Sequence, residues 1–112
     1  MALTIETRRE SGGIVLILNG RITLGEGSQI LRATLRELLE NGTKSLHLNL
    51  GGVSLIDSSG LAELTSAYIN AKKHNATLTL TNLDWNLQRL FEMTRLSTIF
   101  HIEEPTQPVE SI

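Results

Sequence analysis

Gly51-Gly52-Val53-Ser54-Leu55-Ile56-Asp57-Ser58-Ser59-Gly60-Leu61 joins a strand to a helix, and the rest of the chain is read from it. Upstream, Lys44 to Leu50 alternates: Leu46, Leu48 and Leu50 point one way, and Ser45, His47 and Asn49 the other. That period of two marks a strand with one buried face. Downstream, Leu61, Leu64, Ala67, Tyr68 and Ala71 recur at helical spacing between Ser58 and His74. The glycines between them suggest a short loop. Asp57, Ser58 and Ser59 then place a carboxylate and two hydroxyls where a helix start has unpaired N–H groups. Alone, Asp-Ser-Ser-Gly is what an ordinary helix cap looks like.

Thr77 to Thr81 repeats the one-sided pattern, with Leu78 and Leu80 opposed by three threonines. A sheet covered on both faces needs apolar residues on both sides of its strands, so helices are expected mainly on one face. Toward the N-terminus, Leu3 to Arg8 reads as an edge strand and Ser11-Gly12-Gly13 as a turn. The apolar run Ile14 to Leu18 reads as a second, more buried strand that Asn19-Gly20 ends. A first helix opens at Gly25 to Ser28, with Glu26 at its positive end. Leu31, Leu35, Leu38 and Leu39 face inward, and Asn41-Gly42 stops it. A third helix is expected from Trp85 to Leu96, capped by Asp84, with Leu87, Leu90, Phe91 and Thr94 inward. Ser97 to Ile102 suggests a last short strand. The order β-β-α-β-α-β-α-β predicts one α/β domain with a mixed sheet over residues 1–102 and a flexible tail over 103–112, which holds Pro105 and Pro108. The strand order does not follow from these patterns.

Composition narrows the function classes. The 112 residues are 40% hydrophobic and 20% charged, the profile of an ordinary globular domain. Ten Lys and Arg scattered among twelve acids leave a net charge of -2, which argues against nucleic acid as the main partner. The absence of cysteine removes disulfides, thiol nucleophiles and thiolate metal sites. The longest apolar run, Ile14 to Leu18, is too short to cross a bilayer, and Met1 to Glu10 lacks a signal pattern. A cytoplasmic protein without membrane attachment is expected. No pair among His47, His74 and His101 has ligand spacing, and no phosphate-cradling glycine loop is present. Neither a metal nor a cofactor is expected.

Taken together, Leu48-Asn49-Leu50, the glycine-containing segment, Val53, Ile56 and Asp57-Ser58-Ser59-Gly60-Leu61 resemble the STAS domain family, and specifically its free-standing anti-sigma-factor antagonists. The resemblance extends over nearly the whole chain and includes Asn19-Gly20 and Arg89-Leu90-Phe91-Glu92-Met93-Thr94. It implies a partner-switching regulator of transcription. In the family, the unphosphorylated antagonist binds an anti-sigma factor that is also an ATP-dependent serine kinase, and so frees the sigma factor. Phosphorylation ends the interaction, and a serine phosphatase restores it. Carried over, Ser58 is the phosphoacceptor, while Asp57, Ser59, Gly60 and Leu61 shape the surface the kinase reads. By the same resemblance Thr23 and Leu24 are expected to join that partner-binding surface. Family members often carry Gly-x-Leu-Asp after the second strand; here the segment is Gly20-Arg21-Ile22-Thr23, and Thr23 brings no charge where the acid is expected.

Competing readings are set by the same residues. Leu24 either touches the kinase or staples the first helix. Trp85 is either an exposed anchor or packs over a helix end. An enzyme using Ser58 or Ser59 as nucleophile is disfavoured, because neither serine sits in Gly-x-Ser-x-Gly and no histidine is placed as base. The alternative within the fold is a STAS scaffold or adaptor subunit of a stress-signalling or lipid-transport complex.

Overall fold

The computed structural model describes residues 3–10 and 12–103. Its elements are β1 (Thr4–Glu10), β2 (Gly13–Ile22), α1 (Glu26–Glu40), β3 (Ser45–Ile56), α2 (Ser58–Lys73), β4 (Thr77–Thr81), α3 (Trp85–Met93), one 3-10 turn (Leu96–Thr98) and β5 (His101–Glu103). The expected flexible tail lies outside the described residues, apart from Glu103, which closes β5. No helix among the described residues is long and apolar enough to cross a membrane.

The five strands follow their chain order in one mixed sheet, β1-β2-β3-β4-β5. β1 is antiparallel to β2, and each later strand is parallel to its predecessor. Because β2 to β5 are added in one direction, right-handed crossovers carry all three helices over the same face. Burial agrees with that geometry. Ile14, Leu16 and Leu18 of β2, Leu46, Leu48 and Leu50 of β3, and Leu78 and Leu80 of β4 are buried, whereas Val15, Ile17, Ser45, His47 and Asn49 are only partly covered. Thr79 is the exception among the threonines, buried between the β3 and β5 strands at the register of His47 and His101. The helices close the core with Leu31, Leu35 and Leu39, with Leu64, Ala67 and Ala71, and with Leu87 and Phe91. Leu38, Leu61, Tyr68 and Leu90 pack against it from its margin.

Several boundaries differ from the sequence expectation. Asn19-Gly20 does not end β2, and Gly51-Gly52 is not a loop: Asn19 pairs with Gly52 and Gly20 with Val53, so both strands run on to Ile22 and Ile56. Glycines here mark strand irregularity rather than termination. α3 stops at Met93, because Arg95 adopts a left-handed φ of 64°. Thr94 is therefore an exposed helix end and not an inward residue; its hydroxyl donates to the Leu90 carbonyl at 2.8 Å. Ser97 falls in the 3-10 turn, so the last strand begins only at His101.

Two glycines let α1 and α2 start directly against the end of β2. A Cβ on Gly27 would lie 2.6 Å from the Arg21 carbonyl oxygen, and one on Gly60 would lie 2.1 Å from that of Ile22. Helix propensity alone favours alanine at Gly60 by about 1 kcal/mol, but the obstacle is backbone that cannot step aside. Gly60→Ala should therefore lower unfolding free energy by about 1–3 kcal/mol in urea titration. Gly12→Ala, whose Cβ meets nothing within 4 Å, should stay within about 0.5 kcal/mol of wild type.

Candidate functional site

β3 ends at Ile56 and α2 begins at Ser58, so Asp57 alone forms the joint. Its extended backbone (φ -97°, ψ -173°) is that of an N-cap residue. One carboxylate oxygen, Oδ1, accepts the Gly60 N–H at 2.9 Å. The other, Oδ2, accepts the N–H of Leu24 at 3.0 Å, in the loop between β2 and α1. The Asp57 N–H donates to the Ile22 carbonyl at 3.3 Å, and its carbonyl accepts the first helical bond from Leu61 at 2.9 Å. One side chain thus caps α2 and fastens the neighbouring loop to it. From the far side α1 holds the same loop, since Ser28 N–H donates to Thr23 O and Gln29 N–H to Gly25 O, each at 3.0 Å. Further along, Arg32 of α1 and Glu63 of α2 form an ion pair, with Arg32 Nε 3.1 Å from Oε2.

This geometry presents Ser58. It is the first residue of α2, exposed, and its hydroxyl makes no hydrogen bond to another described residue. Ser59 is half-buried, Gly60 is buried under Ile22, and Leu61 lies partly in the core margin. Of the residues singled out from sequence, Asp57, Ser58, Ser59, Gly60 and Leu24 therefore meet at one joint. Leu61 serves packing as much as surface. Thr23 contributes its carbonyl to α1 and is half-buried. Leu24 is 79% exposed, so it does not staple α1.

Leu55, which the sequence pattern did not single out, is also exposed near the joint. It is 47% exposed at the end of β3, beside exposed Arg21 of β2. The available signal was the break in period-two alternation after Leu50. Trp85 is 66% exposed and does not pack over the helix end; the Arg89 guanidinium lies 4.8 Å from its ring centroid. Among the described residues no group of three His, Asp or Glu side chains could hold a metal ion.

The N–H donors acting on Asp57, Gly60 first and Leu24 second, hold its carboxyl below the ordinary 3.8, outweighing the opposing effect of burial. A depressed folded-state value means that the ionised form stabilises the fold above the unfolded pKa, and that this contribution fades as pH falls through the folded value. Asp57→Asn loses the charge and one of the two bridging oxygens. The gap in urea midpoint between wild type and Asp57→Asn should be constant from neutral pH down to about 5 and should narrow below about pH 4. A gap of equal size at both ends of that range would show that the carboxylate charge has no part in the joint.

Comparison with known proteins places this geometry. The STAS domain model matches residues 4–108. The anti-sigma-B factor antagonist of Bacillus subtilis (strain 168) is 30% identical over 107 residues, covering 96% of each chain. Among solved structures, an anti-sigma factor antagonist from Mycobacterium paratuberculosis superposes with a TM-score of 0.80 at 20% identity, over 93% of this chain and 86% of that one. The Bacillus cell fate determinant SpoIIAA in its phosphorylated form does so with a TM-score of 0.72 at 16% identity, over 93% of both. With a match across nearly its full length and the Asp57–Ser58 joint at the head of α2, the chain belongs to the STAS domain family.

Proposed function

We propose that the chain is an anti-sigma-factor antagonist whose switch is Ser58. Unphosphorylated, it binds an anti-sigma factor that is also a serine kinase, and the sigma factor is released. The kinase, which carries the ATP, then modifies Ser58: Oγ attacks the γ-phosphorus, the new O–P bond forms, the bond to the bridging oxygen breaks, ADP leaves and the hydroxyl proton passes to a base of the kinase. A serine phosphatase reverses the modification. The chain supplies the accepting hydroxyl and no catalysis, and it works in the cytoplasm. The relative from Bacillus subtilis is named for the antagonist role, and the structural neighbour SpoIIAA exists in a phosphorylated form.

The observation that carries this reading is the exposure of Ser58 at a helix start that Asp57 caps and ties to the neighbouring loop. A phosphate there meets unpaired N–H groups and the positive dipole end, worth about 0.3–1 kcal/mol, so the fold tolerates it. The modification adds about -1.5 to -2 charges. Burying them in an interface without a partner costs several kcal/mol. A penalty of about 3 kcal/mol weakens binding roughly a hundredfold. Asp57 next door adds repulsion. Thr23 supplies no charge of its own, so any added repulsion at this joint comes from Asp57.

Ser58→Ala should bind the anti-sigma kinase as wild type does and accept no phosphoryl group; Ser58→Asp should bind weakly. Titration calorimetry with the ATP-loaded kinase and intact-mass spectrometry check both. Wild-type protein that gains no phosphoryl group, or gains it away from Ser58, removes the switch. Recovery of transport or scaffold subunits from lysate in place of an ATP-binding kinase would favour the adaptor role.

A further inference from the structure

The exposed side of α3 carries a stripe that the described fold leaves unused. Trp85, Arg89 and Met93 stand four residues apart, so they share one face of the helix. Trp85 is 66% exposed and Met93 73%, with Arg89 exposed between them. Leu87 and Phe91 take the opposite, buried side. The Arg89 guanidinium lies 4.8 Å from the Trp85 ring centroid, which joins the two side chains into one platform. Among the described residues Arg89 has no carboxylate within ion-pair distance. Aromatic, Met and Arg side chains are the types enriched where protein surfaces meet.

We propose that the stripe is covered by the chain's own C-terminal segment, residues 104–112, lying along α3 with Pro105 and Pro108 against the Trp85 ring. Position supplies the reach. Glu103 pairs with Thr81 at the end of β4, and Trp85 follows Thr81 by four residues. From the spacing of strands and the span of an extended residue, Glu103 and Trp85 lie within about 19 Å of one another. Composition supplies the fit. Pro105-Thr106-Gln107-Pro108 has the Pro-x-x-Pro spacing of a polyproline II helix, the form that aromatic surfaces recognise. Nine residues in that form extend about 28 Å, against about 14 Å for α3. With three residues per turn, Pro105 and Pro108 share one edge, and Glu104, Gln107 and Glu110 the next. Charge points the same way. Residues 103–112 hold three glutamates and no Lys, Arg or His, and they would meet Arg89. Glu92, exposed on the same helix, opposes this, and Arg95, exposed just beyond it, offsets it. Through so short a link the effective concentration is about millimolar, so a contact of roughly millimolar affinity is already populated. A second copy at micromolar concentration would have to bind about a thousandfold tighter. The docked segment replaces the free tail that composition alone suggests.

Trp85 is the only tryptophan, so its fluorescence reads the contact directly. The test is acrylamide quenching of the full chain, wild type against the double variant Pro105→Ser/Pro108→Ser, with thermal melting to confirm that both are folded. Wild type should quench with roughly half the Stern–Volmer constant of the double variant and emit at shorter wavelength. Glu104→Lys should move quenching part of the way toward the double variant. In wild type, nuclear Overhauser cross-peaks should join the Trp85 indole to ring protons of Pro105 or Pro108. Equal quenching and emission in wild type and double variant, or the absence of those cross-peaks, would overturn the proposal. So would protection that vanishes on roughly hundredfold dilution, because the cover would then be a second copy. None of these outcomes touches the switch, since no hydrogen bond of the Asp57 joint involves α3.

Discussion

A single carboxylate holds the functional end of this protein together. Asp57 touches two backbone N–H groups that are far apart in the chain, Gly60 within its own helix and Leu24 in the loop after β2. Each bond alone would be an ordinary cap or loop contact. Together they link three segments, the end of β3, the start of α2 and the loop before α1, through one side chain. Charge-assisted bonds to backbone donors are stronger than neutral ones, and the depressed pKa of Asp57 is the electrostatic trace of that arrangement. Ser58 inherits its position from the joint.

The joint works because the sheet delivers its parts to the same place. β2 and β3 are parallel, so their C-terminal ends and the helices that follow leave from one end of the sheet. Gly27 and Gly60 then let α1 and α2 start against the β2 backbone. Irregular pairing lengthens β3 by two residues relative to β2, and that is what turns Leu55 outward while Ile56 returns to the core. The helices bury one face of the strands with their apolar stripes, and the other face stays partly open to water.

Much of this was legible in the residues. Period-two runs at Lys44–Leu50 and Thr77–Thr81 announced one-sided strands, and Leu64, Ala67 and Ala71 announced the buried stripe of α2. Asp57 and Asp84 were readable as caps because side-chain oxygens at helix starts have one common use. What was not legible depended on long-range pairing. Asn19-Gly20 and Gly51-Gly52 look locally like chain breaks, yet they pair with each other and continue the strands. The Asp57–Leu24 bond spans thirty-three residues of sequence, beyond any local pattern. Leu55 looked like part of a loop because its exposure depends on register. The left-handed Arg95 that shortens α3 carries no glycine to signal it.

On the proposed reading, modification of Ser58 changes what the protein binds and leaves its architecture alone. Amide chemical shifts of the chain before and after stoichiometric phosphorylation, recorded without any partner, test it most directly. Changes should be confined to Ile22–Gly27 and Ile56–Leu61. Shifts spread through β1, β4 and α3 would contradict it, because the switch would then act by remodelling the fold.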